Sequence, residues 1–169
     1  MKGILLIMGA LALTGCSAHY KSTAVKTSTE KLKQDMPVSI AVPKDGFYST
    51  TVYHGSGQET ASALQAAFVR YSEKVSITNT CGDVECLSKA TTTEGYLVVP
   101  QILHWEDRAT EWSGKRDKLE VKISVYKASN LTLINSTILN GESKLATWGG
   151  DHPQDLLAEP INSYVSQLY

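Results

Sequence analysis

The chain has 169 residues, of which 42% are hydrophobic, and this length and composition suit one domain with a sizeable apolar core. Lys and Arg number 16 against 17 Asp and Glu, so the formal net charge is −1. A balanced chain has no strong positive field, so nucleic acid is not an expected partner.

The amino terminus predicts an export signal. Lys2 precedes an apolar run over residues 4–13, and a charged start followed by a short apolar stretch is typical of a secretory signal. The run is too short to span a bilayer. The residues alone leave two alternatives open, a plain signal that happens to precede a cysteine and an amino-terminal helix.

The end of this segment, Leu13-Thr14-Gly15-Cys16, resembles the lipobox of bacterial lipoproteins. The resemblance implies a signal peptide over residues 1–15, diacylglycerol on the thiol of Cys16, cleavage before Cys16 and acylation of the new amine. Several acyl chains give lasting membrane anchoring, whereas one chain would be marginal. Ser17 stands where an aspartate would imply retention, so the resemblance implies an outer-membrane lipoprotein on the periplasmic side.

Two further cysteines, Cys81 and Cys86, lie close together in the chain. An exported compartment oxidises thiols, so we expect these two cysteines to form a disulfide that closes a short turn. Free thiols are one alternative. A metal site is another, but only Asp83 and Glu85 are near enough in sequence to complete it.

Residues 16–36 predict the lipidated cysteine followed by a flexible tether. The segment is polar, contains lysines at 21, 26, 31 and 33, and shows little apolar periodicity. A flexible chain of this length reaches about 25 Å. Contact of these lysines with anionic headgroups, and a short helix within residues 28–36, are the alternatives.

Residues 37–169 predict one small periplasmic α/β domain (α+β), and its first half alternates strands with helices. Ser56 and Glu59 match the Ser-x-x-Glu capping box, so a helix should begin at Ser56. The other elements of this half are predicted as a strand over 37–43, a loop over 44–55, a strand over 74–79, a short helix over 83–91 and a strand over 95–105.

The second half predicts a meander and a terminal helix. Residues 119–127 alternate between apolar and polar side chains, which is typical of a half-buried antiparallel strand. A strand over 131–139 and a carboxy-terminal helix follow, with a kink or a division into two short helices at Pro160. The order β-α-β-(α)-β-β-β-α predicts a mixed sheet of about five strands with helices packed on it.

The stretch from Leu103 to Asp117 predicts a hairpin turning at Gly114. In that register Glu106 faces Lys122 and Arg108 faces Glu120 as pairs of opposite charge. The register also opposes Leu103 to Val125, Trp105 to Ile123, and Trp112 to Arg116. It leaves Asp107 on the apolar face, and Pro100 requires an edge position or a bulge.

Catalytic patterns are weak in this sequence. His104 and Glu106 share a strand face, which makes a hydrolase the third hypothesis. Glu106 and Asp107 are adjacent and point to opposite faces, which does not suit glycoside hydrolysis. The four histidines are scattered, and no nucleotide-binding motif is present. We therefore expect no enzyme, no cofactor and no metal site.

Residues 98–129, VVPQILHWEDRATEWSGKRDKLEVKISVYKAS, resemble the signature block of a family of small Gram-negative lipoproteins. That family is known only as a domain of unknown function, of the 4823 type. The resemblance implies an envelope location and an α/β fold, and it implies no activity and no catalytic residue.

The leading functional hypothesis is a non-enzymatic accessory module that binds another envelope component, with a protein as the expected partner. Trp and Arg are frequent in interface hot spots. A small-ligand or glycan binder is the second hypothesis, and a concave pocket containing both Trp105 and Trp112 would favour it. The candidate interaction surface is Tyr48, Tyr53, Trp105, Asp107, Trp112 and Arg116.

Overall fold

The computed structural model describes residues 18–108, 114–144 and 152–169. Its strands are β1 (His19–Lys26), β2 (Val38–Ala41), β3 (Phe47–Tyr48), β4 (Thr51–Val52), β5 (Val75–Thr78), β6 (Tyr96–Glu106), β7 (Lys118–Lys127) and β8 (Leu133–Glu142). Its α-helices are α1 (Ser56–Phe68), α2 (Val84–Ala90) and α3 (Ala158–Leu168), and a 3-10 helix covers Pro153–Leu156.

Within the described ranges, a six-stranded mixed sheet has the order β1-β8-β7-β6-β2-β5, and β3 and β4 form a separate small hairpin. From β1 through β8 and β7 to β6 each strand is antiparallel to the next, whereas β2 runs parallel to both β6 and β5. The predicted mixed α+β class and the predicted order from β2 to α3 are confirmed. The sequence did not predict β1, β3 and β4.

The main core lies between one face of the sheet and the helices α1 and α3. Val121, Ile123 and Val125 on β7 are buried together, as the alternation of that strand predicts. Leu64 and Phe68 of α1 pack in the same cluster. None of the helices in the described part of the chain is long and apolar enough to cross a membrane.

A second, smaller cluster lies on the other face of the sheet, under α2. Leu87 of this helix packs there with Leu97 and Cys81, which are also buried. The predicted disulfide between Cys81 and Cys86 is present, with a Cα–Cα distance of 5.3 Å. Asp83 accepts a hydrogen bond of 2.8 Å from the backbone N–H of Cys86, so it caps α2 rather than serving as a metal ligand.

The tether prediction is wrong for residues 19–26, which form the edge strand β1. This strand pairs with β8 from the His19–Glu142 pair to the Lys26–Ser136 pair, and the Ser22 and Thr137 hydroxyls lie 3.0 Å apart. An edge strand exposed on both faces requires no apolar alternation, so hydropathy cannot reveal it. The short helix considered for residues 28–36 is also absent from this described segment.

The helix α1 begins at Ser56 as predicted, but by a different mechanism. Its cap residue is Gly55, in the left-handed conformation, and no side chain of the helix caps it. Asp45 accepts hydrogen bonds from the N–H groups of Gly57 and Gly55, and the bond from Gly57 is the main cause that lowers the pKa of this carboxyl. The Ser56 hydroxyl instead accepts from the N–H of Gly46 at 2.8 Å.

The predicted register of the β6–β7 hairpin is wrong. Trp105 faces Leu119 rather than Ile123, and Glu106 faces Lys118 rather than Lys122. The register shifts by one residue between Ile102 and His104, so β6 contains a bulge at Leu103. A bulge was one of the two solutions predicted for the strand that contains Pro100. The observed bulge lies three residues after Pro100, at Leu103.

Pro100 itself lies within β6, opposite Ile123 of β7. The pairing of β6 with the parallel strand β2 ends earlier, at Val98. Pro100 therefore has a ladder partner on one side only, which is the position where a missing N–H is tolerated. The predicted division at Pro160 is wrong in position: the 3-10 helix ends at Leu156, and Pro160 lies in the first turn of α3, where a missing N–H is tolerated.

The position of β1 in the sheet predicts resistance to proteolysis. In the folded protein, trypsin should cleave after Lys21 only when β1 detaches from β8, and therefore much more slowly than in the unfolded chain, because cleavage requires several residues of local unfolding. Mass spectrometry of the released amino-terminal peptides measures this rate. Fast cleavage after Lys21 with the rest of the domain intact would indicate a flexible tether and contradict the strand.

Candidate functional site

One end of the sheet, which we call the hairpin end, collects most of the charged side chains that the sequence singles out. There β6 ends at Glu106 and β7 begins at Lys118, and the two residues face each other. Lys118 also pairs with Glu142 of β8, which in turn pairs with His19 of β1. Four neighbouring strands therefore have one terminus each in this row.

Glu106 is the centre of an ion-pair network at the hairpin end. Its side chain is only 7% exposed, its Oε2 lies 2.8 Å from Nε2 of His104, and its Oε1 accepts from Nε of Arg108. Burial would raise the pKa of this carboxyl, but hydrogen bonds and charge from His104 and Arg108 outweigh it and lower the pKa. Glu106 is therefore a paired carboxylate, and the same pair raises the pKa of Arg108.

The small hairpin of β3 and β4 covers this network. The ring of Tyr48 meets His104 edge-on at 5.3 Å, and the Arg108 guanidinium lies 4.8 Å from the ring centre. Arg108 also donates to the Tyr48 hydroxyl at 2.9 Å. Next to this hairpin, a Cβ on Gly46 would lie 2.6 Å from Cβ of Trp105, so only glycine allows so close an approach.

Backbone segments at the hairpin end are joined through Asp117, which is fully buried. Its carboxylate accepts from the N–H of Arg108 at 2.5 Å, and its own N–H donates to the Ser143 hydroxyl at 2.9 Å. Asp107 lies beyond the end of β6 rather than on the apolar face. Its carboxylate lies 3.2 Å from Nδ1 of His152, and its N–H donates to the Tyr53 hydroxyl at 3.3 Å.

A cavity of about 470 Å³ opens at the hairpin end and has a surplus of positive charge. Its lining contains Arg108, Lys115, Arg116 and Lys118 against two carboxylates, those of Glu106 and Glu142. Tyr48 forms an aromatic wall. Two cations in excess of the carboxylates make the cavity suited to an anionic ligand.

The cationic side chains of this cavity differ in whether they form ion pairs. Lys118 lies 3.6 Å from Glu142, in a pair whose side chains are both about half exposed. Arg116 is half-buried and has no hydrogen bond or ion pair with any residue of the described part of the chain. Because the Arg116 guanidinium is not engaged by a described residue, it can bind a carboxylate or phosphate without first breaking another ion pair.

The structure brings together four of the six residues predicted as an interaction surface: Tyr48, Tyr53, Asp107 and Arg116 all lie at the hairpin end. Trp105 is a correction, because it is 2% exposed and belongs to the main core. Trp112 and Cys16 lie outside the described residues. Sequence reasoning did not assign Lys118 and Glu142 to the site, because only the true register brings them beside Glu106.

No group of three or more potential metal ligands occurs in the ranges 18–108, 114–144 and 152–169. Glu106 and Asp107 are separated as predicted, one bonded to His104 and Arg108 and the other near His152. The arrangement can hold an anion against a fixed set of cations. Both oxygens of Glu106 are already engaged, one by His104 and the other by Arg108.

The family model described as a domain of unknown function (DUF4823) matches residues 30–168 of the chain. Comparison with curated proteins finds no match. Among solved structures, the chain is similar to the PelC dodecamer from Paraburkholderia phytofirmans, with a TM-score of 0.65 and 13% identity over 89% of this chain and 96% of that one.

It is also similar to protein XCC0632 from Xanthomonas campestris, which is described with the DUF330 family model. That match has a TM-score of 0.51 and 12% identity, and it covers 84% of this chain and 90% of the other. At these identities the likeness shows a shared fold and nothing about activity.

The network around Glu106 predicts a measurable loss of stability in Glu106→Gln. The amide has one acceptor oxygen in place of two and cannot accept from both His104 and Arg108 in this geometry, so the free energy of unfolding should fall by about 1–3 kcal/mol. Urea denaturation measures this loss. The matched control is Glu142→Gln, whose carboxylate is 45% exposed beside Lys118 and whose loss should cost under about 1 kcal/mol. Equal losses in the two variants would contradict the network.

The lowered pKa of Glu106 also predicts a pH dependence. A carboxyl with a depressed pKa in the folded state stabilises that state above its ordinary value of 4.5, and loses this contribution as the pH falls through the depressed value. The stability difference between the parent protein and Glu106→Gln should therefore shrink as the pH falls below about 4.5. A stability difference between the two proteins that grows as the pH falls would contradict a lowered pKa of Glu106 in the folded state.

Proposed function

The chain belongs to the DUF4823 family, which is defined by a domain of unknown function, and on that premise we propose that it is a lipid-anchored module of the bacterial cell envelope. It acts by binding another envelope component at the hairpin end, and not by catalysis. The observation that carries this proposal is the cavity with two surplus cations, in which Arg116 lies half-buried without a partner among the described residues.

The anchor is proposed from the sequence, since Cys16 lies outside the described residues. Leu13-Thr14-Gly15-Cys16 supports acylation at Cys16, and Ser17 supports an outer-membrane destination. The disulfide between Cys81 and Cys86 supports an oxidising compartment. The first two observations belong to one signal around Cys16, and the disulfide is independent of them because it involves other cysteines and different chemistry.

Binding is a better proposal than catalysis because of the state of Glu106. A general acid must hold a proton near neutral pH, but the pKa of Glu106 is lowered. A nucleophile or general base needs a free oxygen, but both oxygens of Glu106 are engaged by His104 and Arg108. Glu106 is therefore not in the state that a hydrolase would require of its acid, base or nucleophile.

The glycan-binding alternative loses its main support. It required a concave pocket with both Trp105 and Trp112 exposed for stacking, and Trp105 is buried in the core. Tyr48 lines the cavity but already packs on His104 and Arg108. That the bound component is an envelope protein stays a prediction from the sequence.

The anchor predicts that Cys16→Ala abolishes both acylation and signal processing. Cells grown with an alkyne fatty acid should label the parent protein and leave the variant unlabelled, and the variant should keep its signal peptide. Membrane fractionation provides the second readout. Normal processing of Cys16→Ala and its normal association with the outer membrane would refute the anchor.

Binding without catalysis predicts different outcomes for two substitutions at one site. His104→Gln retains a donor for Glu106, and should complement deletion of the gene at normal protein levels. Arg116→Glu reverses the unpaired charge, and should fail to complement although the protein folds with an unchanged melting temperature. Loss of function in His104→Gln together with normal function in Arg116→Glu would favour a catalytic histidine instead.

A further inference from the structure

The position of β1 in the sheet determines which end of the domain lies nearest to Cys16. Only residues 17 and 18 separate Cys16 from His19, the first residue of β1. Three residue steps span at most about 10 Å even in a fully extended chain. His19 lies in the same row as Glu142, Lys118 and Glu106. An acyl group on Cys16 would therefore hold the hairpin end against the bilayer.

The opposite end of the sheet is too far away to share this position. The strand β6 has 11 residues, which corresponds to a length of roughly 35 Å. The carboxy end of α1, with exposed Val69, lies at that distant end, because Ser72 just beyond it donates to the carbonyl of Met36 before β2. A single anchor at Cys16 would therefore place the hairpin end next to the bilayer and leave the opposite end of the sheet away from it.

The hairpin end has the surface chemistry that suits a bilayer of anionic phospholipids. The cavity lining has two more cations than carboxylates. Beside it, Phe47 of β3 faces Val52 of β4, and these two apolar side chains are 65% and 49% exposed. Exposed aromatic and aliphatic side chains next to cations are typical of segments that enter the interface between headgroups and acyl chains.

The acidic groups near this surface do not cancel its charge. Asp117 is buried and bonded to the N–H of Arg108, and Asp107 lies beside His152. Glu106 is neutralised by His104 and Arg108. Arg116, which has no hydrogen bond or ion pair with the described residues, is therefore left to meet an external anion in the cavity.

We propose that the hairpin end of the domain is seated on the membrane, with the Phe47–Val52 pair in the interface and a phospholipid phosphate in the cation-rich cavity. The inference rests on the proposed acylation of Cys16, and it assigns phospholipid to this site in place of the protein partner expected from the sequence. Each basic residue near an anionic surface strengthens association by about fivefold. The anchor keeps the site close to lipid at all times, so contacts of this strength suffice.

The test is photocrosslinking in cells with the full-length, acylated protein. A benzophenone amino acid replaces Phe47 in one variant and Val69 in the other; the two side chains are 65% and 54% exposed, so neither replacement removes core packing. After irradiation, mass spectrometry of the protein detects phospholipid adducts. We expect adducts at position 47 and at least fivefold fewer at position 69.

Three outcomes would overturn the inference: equal lipid adducts at both positions, no lipid adduct at position 47, or a protein adduct at position 47 in place of lipid. The intact mass of the same samples reports acylation of Cys16. An acylated protein without lipid adducts refutes the seating alone, whereas an unacylated protein refutes the proposed anchor.

The role of charge is tested by a second pair of variants in the background with the photoreactive group at position 47. In purified acylated protein reconstituted into phosphatidylcholine vesicles containing phosphatidylglycerol, Arg116→Gln with Lys118→Gln should reduce lipid adducts at least fivefold. Arg70→Gln with Lys74→Gln, at the distant end, removes the same charge and should leave the yield unchanged. Equal yields from the two double variants would refute phosphate binding in the cavity, and an equal yield from vesicles of phosphatidylcholine alone would refute the preference for anionic phospholipid.

Discussion

The extra residue in β6 at Leu103 is the constraint on which the rest of the hairpin end depends. Before it, Val98 and Ile102 contribute to the main core, and Leu97 lies on the opposite face under α2. After it the alternation is reversed, so that Trp105 enters the core while His104 and Glu106 lie on the opposite face. Without the bulge, Glu106 would point toward the apolar core and Trp105 would be exposed.

The reversed alternation explains why the charged side chains at the hairpin end are paired with one another. Glu106 leaves the core but stays nearly buried, so its carboxylate requires partners, and His104 and Arg108 supply them. Arg108 in turn holds Tyr48, and with it the small hairpin that presents Phe47 and Val52. A single backbone irregularity thereby assembles a fixed surface of cations and apolar side chains at one end of the sheet.

The sequence predicts most of the fold, because hydropathy records which strand faces and helix stripes are buried. The alternation of β7 and the order from β2 to α3 follow from this pattern. The register of the β6–β7 hairpin does not follow from hydropathy, because the bulge at Leu103 leaves no hydropathy signal and shifts every residue pair that comes after it in β6. The edge strand β1 is exposed on both faces and resembles a linker in composition. Asp45 caps α1 from a preceding loop, a contact that a local capping motif cannot show.

The same reasoning separates the predictable and unpredictable parts of the site. Tyr48, Tyr53, Asp107 and Arg116 could be selected from their residue types and their positions in loops. Trp105 is misassigned for a different reason: the predicted register places it on the apolar face opposite Ile123, but tryptophan is also typical of interface hot spots, and the structure buries it. The alignment of β1 with the hairpin end could not be predicted at all, since β1 was read as a tether.

The hairpin end can bind lipid only when the domain is oriented with that end toward the membrane. Paramagnetic relaxation measures this orientation directly, in acylated protein reconstituted into nanodiscs that contain a lipid with a gadolinium-chelating headgroup. The amide signals of Lys118 and Glu142 should be broadened strongly, while those of Lys127 and Leu133, at the other ends of the same strands, should stay sharp. Equal broadening at both ends, or stronger broadening at Lys127 and Leu133, would contradict the orientation.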